Sequence, residues 1–286
     1  MNYRHAFHAG NFADVLKHVV LARIVAHLRA KPAAFRAIDI HAGAGLYDLS
    51  GEEANRTGEF HNGIERLIHA PLDAKARQLL SPYLDAVAAH NPTARLTAYP
   101  GSPALLRYWL RPQDRLIACE FEPKAAAALA QTLRGDHRAK AVTIDGWTAL
   151  AAYVPPKERR GLVIVDPSYE QPNEFTRLFE GLQAAHRKWP TGIYLLWYPI
   201  KERREPDTLA RRLARSGIAK IVRVELDLTI PKRDSGLRGS GLIVVNPPWT
   251  LERELAVLLP VLASVLSLDA KSRWRFDWLT SEIMPQ

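Results

Sequence analysis

Three acids close short apolar runs, and each is followed by residues that turn a chain. The run FRAIDI (35–40) contains Asp39 and leads into His41, Ala42, Gly43, Ala44 and Gly45. An acid at a strand end followed by Gly-x-Gly receives nucleotide-type cofactors. The glycines let the backbone approach the ligand, and the N-terminus of a following helix favours polar groups there. A dinucleotide fingerprint would need a third glycine at position 48, where Asp48 stands. That carboxylate would repel a pyrophosphate, which disfavours an NAD-dependent oxidoreductase. S-adenosylmethionine has no phosphate and carries a sulfonium cation, so an acidic neighbourhood suits it. Glu120, closing RLIACE, is placed to accept both hydroxyls of an adenosyl ribose. Asp145, after KAVTI, is placed to accept the exocyclic amine of adenine, with the backbone around Gly146 and Trp147 against the ring. Each acid alone reads equally well as a solvated strand end. Three in succession do not.

A fourth run, LVIVD, ends in Asp166, Pro167, Ser168 and Tyr169. This resembles the (D/N)-P-P-(Y/F) motif of amino-methyltransferases acting on adenine N6 or cytosine N4. The lone pair of an exocyclic amine is delocalised into its ring, so the nitrogen is a poor nucleophile. A carboxylate on Asp166 and the backbone carbonyl of Pro167 can accept its two hydrogens and move it towards tetrahedral geometry. The ring of Tyr169 can stack on an extruded base. Ser168 departs from the motif's second proline, which affects the stiffness of the loop rather than its chemistry.

These residues need a scaffold that brings strand ends together. Strands are read at 35–40, 115–120, 140–144, 162–166, 192–198, 218–227 and 241–246, with helical patterns such as PKAAAALAQTLR and EFTRLFEGLQAAHRKW between several of them. Near-continuous apolar strands alternating with helices predict an α/β, doubly wound sheet covered on both faces. PKRDSGLRGSG, between the last two strands, has no helical pattern and predicts an antiparallel pair. The result is a Rossmann-like seven-stranded methyltransferase sheet of order 3-2-1-4-5-7-6, in one domain covering 1–286. About seventy residues separate the first two strands, against about thirty for a whole simple crossover. A helical insertion at about 46–110 is expected there. A helix from Asn11 to Arg29, capped by Asn11 or Asp14, precedes the sheet and completes an N-terminal arm and helix over 1–30. Asn246-Pro247-Pro248-Trp249 matches the amine-binding motif more closely by letter. It follows the seventh strand, away from the first, and is read as a strand-ending turn.

YRHAFHAGNFADVLKH at the start, HAGAG, YPGSP (99–103), CEFEP, IDGW, DPSYE and GSGLIVVNPPW together resemble the RlmJ family, bacterial 23S ribosomal RNA adenine-N6 methyltransferases. The resemblance runs along essentially the whole chain. It implies S-adenosylmethionine as cofactor and 23S rRNA as substrate. It also implies cofactor contacts from His18, His41, Ser102, Glu120, Asp145 and Gly146, and Gly43 of the turn and Asp166 are expected to join them. Asp166 is implied as the catalytic residue, with Pro167 and Tyr169 beside it. Tyr3, His5 and Lys17 are implied to serve the substrate or the active site, an arm that could fold over the cleft. In that reading Tyr3 or His5 contacts the extruded adenine and Lys17 a flanking phosphate.

The composition agrees with a folded enzyme: 47% of the 286 residues are hydrophobic and 24% charged, which excludes a disordered or fibrous chain. A net charge of +9 favours a polyanionic partner. The basic runs PPKERRG, KERRE and ARRLARSGIAK are candidates for a phosphate-facing surface. One cysteine, Cys119, excludes an internal disulfide and a Cys-rich zinc site. Five of the ten histidines fall within the first 41 residues, but without zinc-ligand spacing, so no metal is expected. With no apolar export signal and no membrane-length run, a cytoplasmic monomer is expected. Trp274 and Trp278, in the tail KSRWRFDWL, are expected to pack on the sheet. DNA adenine-N6 methylation is the alternative activity. A non-catalytic RNA-binding relic is disfavoured by the intact Asp166 and Tyr169.

Overall fold

The architecture was read from a computed structural model that describes residues 4–93, 95–228, 237–267 and 272–281. A short 3-10 turn at His5–Phe7 leads into α1 (Phe12–Arg29), whose N-cap Asn11 accepts from the backbone N–H groups of Ala13 and Asp14. Strand β1 (Arg36–Asp39) follows. Between it and the next strand of the main sheet lie β2 (Leu46–Asp48), α2 (Glu52–Thr57), α3 (Ile64–Ile68), α4 (Ala74–Ala89), β3 (Ala98–Pro100) and α5 (Ser102–Trp109). Then come β4 (Arg115–Glu120), α6 (Pro123–Thr132), β5 (Ala139–Thr143), α7 (Gly146–Tyr153), β6 (Gly161–Val165), α8 (Glu174–Lys188) and β7 (Ile193–Ile200). The chain continues through α9 (Arg204–Ala214), β8 (Ile221–Asp227), β9 (Gly239–Val245), α10 (Leu251–Leu266) and β10 (Arg273–Thr280).

The main sheet has the order β10-β8-β9-β7-β6-β1-β4-β5. The pairs β5–β4, β4–β1, β1–β6 and β6–β7 are parallel, whereas β9 runs antiparallel to both β7 and β8. Eight strands pair rather than seven. The additional one is the C-terminal tail, which lies antiparallel along β8 from Arg273 opposite Asp227 to Thr280 opposite Ile221. Its alternation of charged and aromatic side chains suits an edge, where Arg223 on β8 meets Asp277 at 2.8 Å across the ladder. Trp274 and Trp278 therefore sit on an edge strand, 45% and 43% exposed, instead of being buried against the sheet.

The segment between β1 and β4 is likewise not purely helical. Its two ends pair as a small antiparallel ribbon, Leu46 to Asp48 against Pro100 to Ala98. Strand residues alternate between two cores. Leu162 and Ile164 of β6 face α1, α4, α5 and α10, and Val163 and Val165 face α7, α8 and α9. Burial on both faces is why β6 reads as an unbroken apolar run. Helix α1 is buried along most of its length, yet Asp14, Lys17 and His18 are among its buried residues. Polar groups there must be paired or facing a ligand.

Candidate active site

The carboxyl ends of β1, β4, β5 and β6 open onto one cavity of about 950 Å³. At the end of β1 the backbone turns through Gly43 (φ 59°) and Gly45 (φ 79°), left-handed conformations that favour glycine. A Cβ on Gly43 would stand 2.2 Å from the Tyr47 hydroxyl oxygen, so the turn also needs its bareness. The Gly43 N–H donates to Glu120 Oε2 at 2.8 Å, while Phe121 and Glu122 N–H groups donate to Oε1, both at 2.8 Å. Three backbone donors thus fix the Glu120 carboxylate at the cavity wall. Asp145 caps α7 by accepting from Thr148 N–H through Oδ2 at 2.8 Å, which leaves Oδ1 for a ligand. Gly146 packs on β1 so tightly that a Cβ would stand 2.4 Å from the Ile40 carbonyl oxygen.

The ribbon sets the opposite wall. Gly101 N–H donates to the Gly45 carbonyl at 2.8 Å, and this brings Ser102 over β1, where its Oγ donates to Asp39 Oδ2 at 2.6 Å. Since that proton is committed, Ser102 offers only lone pairs to the cavity. Burial pushes the Asp39 carboxyl up to about 7, against the opposing hydrogen bond from Ser102. His41 accepts from the Asp166 N–H at Nδ1, 3.2 Å away, and burial lowers it to about 4, so it is neutral at pH 7. His18 is driven down to about 3 by burial. Its Nδ1 meets the Tyr99 hydroxyl at 2.7 Å, but its buried Nε2 has no partner.

Lys17 lies at the centre. Its ammonium donates to Asp14 Oδ1 at 2.9 Å and to Asp166 Oδ2 at 2.5 Å. Burial alone would lower it, but Asp14 and then Asp166 outweigh burial and hold it well above its ordinary value. Burial would likewise raise Asp14, yet His5 and Lys17 hold it well below the usual carboxylate range. His5 Nε2 is 2.9 Å from Asp14 Oδ2, its ring lies 5.0 Å from that of Tyr47, and Arg4 pairs with Glu53. The arm therefore folds onto the cavity from residue 4 onwards. Tyr3 lies outside the described residues.

His5, Lys17, His18, His41, Gly43, Ser102, Glu120, Asp145, Gly146, Asp166 and Pro167 all line the cavity. Two expected roles meet a different local geometry. Lys17 is 4% exposed and spends two of its three ammonium donors on Asp14 and Asp166, which makes it an anchor for the Asp166 carboxylate before it is a phosphate contact. Tyr169 does not line the cavity. Its backbone is left-handed (φ 54°), its ring packs edge-on against Phe175 and Trp197, and its hydroxyl donates to the Trp197 carbonyl at 3.0 Å. In this arrangement the ring is engaged with Phe175 and Trp197 beside the cavity and is not part of its lining. The rival motif is at the far end of the sheet, because β9 runs antiparallel to β7 and Val245 pairs with Tyr194 at the start of β7. The Asn246 amide there donates to the carbonyls of Pro190 and Gly192, both at 2.8 Å, a structural clamp.

Asp14, Tyr47 and Tyr99 were not identified by sequence reasoning as site residues. A signal existed for Asp14, which stands three positions before Lys17 on an otherwise apolar helix. Neither tyrosine had one, since both depend on the ribbon. Among the described residues no cluster of three or more His, Cys, Asp or Glu could hold a metal ion, and no helix is long and apolar enough to cross a membrane.

A family model described as ribosomal RNA large subunit methyltransferase D, RlmJ, matches residues 32–280. The chain belongs to the RlmJ family. Ribosomal RNA large subunit methyltransferase J of Escherichia coli K12 is 39% identical over 282 residues, covering 99% of this chain and 100% of that protein. Its namesake in Haemophilus influenzae is 35% identical over 286 residues, with coverage of 99% and 100%. Among solved structures, a Legionella pneumophila protein superposes with a TM-score of 0.87 at 32% identity, over 96% of this chain and 99% of that one. For this RlmJ-family member the likeness thus extends over N-terminal arm, ribbon and edge strand alike.

Proposed function

We propose that this chain transfers a methyl group from S-adenosylmethionine to N6 of an adenine in 23S rRNA. One observation carries the reading. Asp166 and Pro167 line the same cavity as the Gly43 turn, Glu120, and the Asp145–Gly146 corner, in a chain of the RlmJ family.

The residues fit such a cofactor. The orphaned Nε2 of neutral His18 and the lone pairs of Ser102 and Asp145 are unspent hydrogen-bonding groups in or beside a cavity of sufficient size. Glu120 would hold the ribose and Asp145 with Gly146 the adenine, while His18, His41 and Ser102 would meet the remainder. When bound, S-adenosylmethionine supplies a methyl group made electrophilic by its sulfonium.

The chain's own work is to raise the nucleophilicity of the amine. Lys17 occupies Asp166 Oδ2, so Oδ1 is the oxygen left to accept an N6 hydrogen. The Pro167 carbonyl accepts the other, and the nitrogen lone pair is drawn out of conjugation. Asp14 anchors Lys17 from behind, and His5 closes the arm onto Asp14. His41, through its bond from the Asp166 N–H, fixes the backbone that carries the acceptor. Action on ribosomal RNA puts this work in the cytoplasm.

The test is nucleoside mass spectrometry of protein-free 23S rRNA and of duplex DNA, each incubated with the protein and S-adenosylmethionine. N6-methyladenine is expected in the RNA alone. Methylation of DNA alone would establish the alternative activity, and methylation of neither would overturn the reading.

A further inference from the structure

The cavity itself is a poor place to hold a polyanion. Nine Asp or Glu side chains line it against four Lys or Arg, and three of those four are already paired: Arg4 with Glu53, Lys17 with Asp166, Arg177 with Glu174. Yet the whole chain carries +9. The surplus has to be elsewhere.

Much of it lies along the opposite edge of the sheet, where the parallel strands begin. The exposed cations Lys31, Arg134, Lys157, Arg159, Arg187 and Arg215 stand in the segments entering β1, β5, β6, β7 and β8. Two of the three basic runs noted in the sequence, PPKERRG and ARRLARSGIAK, therefore face away from the cavity. Most acids at this edge are consumed within the fold, Asp114 by Arg111, Asp136 by Arg138 and Glu158 by Arg36, while Glu252 beside Trp249 accepts from the Trp278 indole N–H. The six exposed cations have no salt bridge among the described residues.

An ordinary explanation is that helices end at this edge and cations favour helix C-termini. It falls short in size and place. Six helix ends offer about half a negative charge each, roughly −3 in all, which leaves about half of even these six charges uncompensated. Lys157 and Arg159 also lie four and six residues beyond the end of α7, past its last turn. In the same edge Trp249, 75% exposed, stands just beyond β9 in the turn that mimics the catalytic motif. Burial does not account for it.

We infer that the amino-terminal edge of the sheet is a second RNA-binding surface, which grips the phosphate backbone of a folded substrate whose target adenine enters the cavity at the other edge. The inference rests on the proposed RNA substrate. Uncompensated cations spread along the edge supply the phosphate contacts, and the exposed indole supplies a face for an unpaired base. The two edges are separated by a strand of five residues, about 17 Å. A short single strand that fills the cavity cannot reach the second surface, but a folded domain can.

The experiment compares Lys157→Gln/Arg159→Gln with Lys75→Gln/Arg77→Gln, an equal neutralisation on exposed positions of α4. RNA affinity is measured on a folded 23S rRNA fragment between 50 and 200 mM salt, and methyl transfer on that fragment and on a short oligonucleotide containing the target adenine. Loss of two phosphate contacts lowers the salt slope by about 1.8, so over that range wild-type affinity should fall about twelvefold more than that of the edge variant. The α4 variant should keep the wild-type slope. Trp249→Ala should weaken binding about tenfold with the slope unchanged. Oligonucleotide methylation should be the same in all variants. Equal slopes in the edge variant and wild type, or equal losses in the edge and α4 variants, would overturn the inference. Failure of the wild type to methylate RNA at all would instead overturn the proposed activity, whatever the salt slopes.

Discussion

Asp39 provides a direct test of how the site is built. It is fully buried at the end of β1, and burial pushes its carboxyl to about 7, although Ser102 donates to it at 2.6 Å. In the unfolded chain the same group titrates near 3.8. A folded pKa above the unfolded one means that the folded state binds the proton more tightly. Stability therefore declines as pH rises from about 4 to about 7 and levels off above it. A shift from 3.8 to 7 corresponds to about 4 kcal/mol of penalty, fully present above pH 7. At pH 5 only the part between 3.8 and 5, about 1.6 kcal/mol, has been incurred.

Asp39→Asn keeps the shape, and its amide oxygen can still accept from Ser102, but it does not titrate. The stability of the variant relative to wild type should therefore rise by roughly 3 kcal/mol between pH 5 and pH 8. Urea unfolding of both proteins without cofactor at four pH values measures this directly. Parallel stability curves across that window would refute the reasoning, because the carboxyl would then carry no burial penalty.

Glu120→Ala should weaken S-adenosylmethionine binding by about 1.5–3 kcal/mol, since it removes a charged acceptor that three backbone N–H groups hold in place; unchanged calorimetric affinity would exclude it from the site. Asp166→Ala should abolish methyl transfer with RNA affinity largely kept, whereas Asn246→Ala should leave the rate intact and cost about 1–2 kcal/mol of stability from its two lost amide bonds; the reverse pattern would place the chemistry at the wrong edge. Lys17→Met leaves the buried Asp14 and the part-exposed Asp166 without their cation and should cost about 3 kcal/mol of stability. Its salt slope for RNA binding should match wild type, and a shallower one would return Lys17 to the phosphate. Deleting residues 2–8 removes His5 from Asp14 and Arg4 from Glu53. The methylation rate should then fall far more than cofactor affinity, and a wild-type rate would reduce the arm to a tail.

The residues at the ends of β1, β4 and β6 were legible because strands buried in the sheet are apolar runs, and the chemistry begins where each run stops, whereas β5 is an edge strand with no buried residue and Asp145 was legible only from its place in the succession of acids. Other parts had no comparable signal. Strands β2 and β3 are three residues each, too short for a period to register, yet their pairing puts Ser102 over Asp39. The edge strand β10 carries charge and aromatic rings in alternation, which reads equally well as an amphipathic tail. Lys17 could be picked out by type, but its partner Asp166 is 149 positions away, so its role as an anchor instead of a phosphate contact needed the fold.

Direction is what local sequence least reveals, and here it decides most. DPSY and NPPW differ little as strings, but β6 and β9 run opposite ways. One string therefore ends beside the Gly43 turn and the other at the start of β7. The same reversal sorts the charges. Residues that leave the parallel strands form the acidic cavity, and residues that enter them form the basic edge. Tyr169 shows the effect at the scale of a single residue. Its left-handed backbone turns the ring away from the cavity towards Trp197, at a conformational cost of about 1–3 kcal/mol that the packing with Phe175 and the hydroxyl bond to Trp197 must offset. Tyr169→Phe isolates the hydroxyl bond, because it keeps both the ring and the left-handed backbone, whereas Tyr169→Gly removes strain, ring and hydroxyl together.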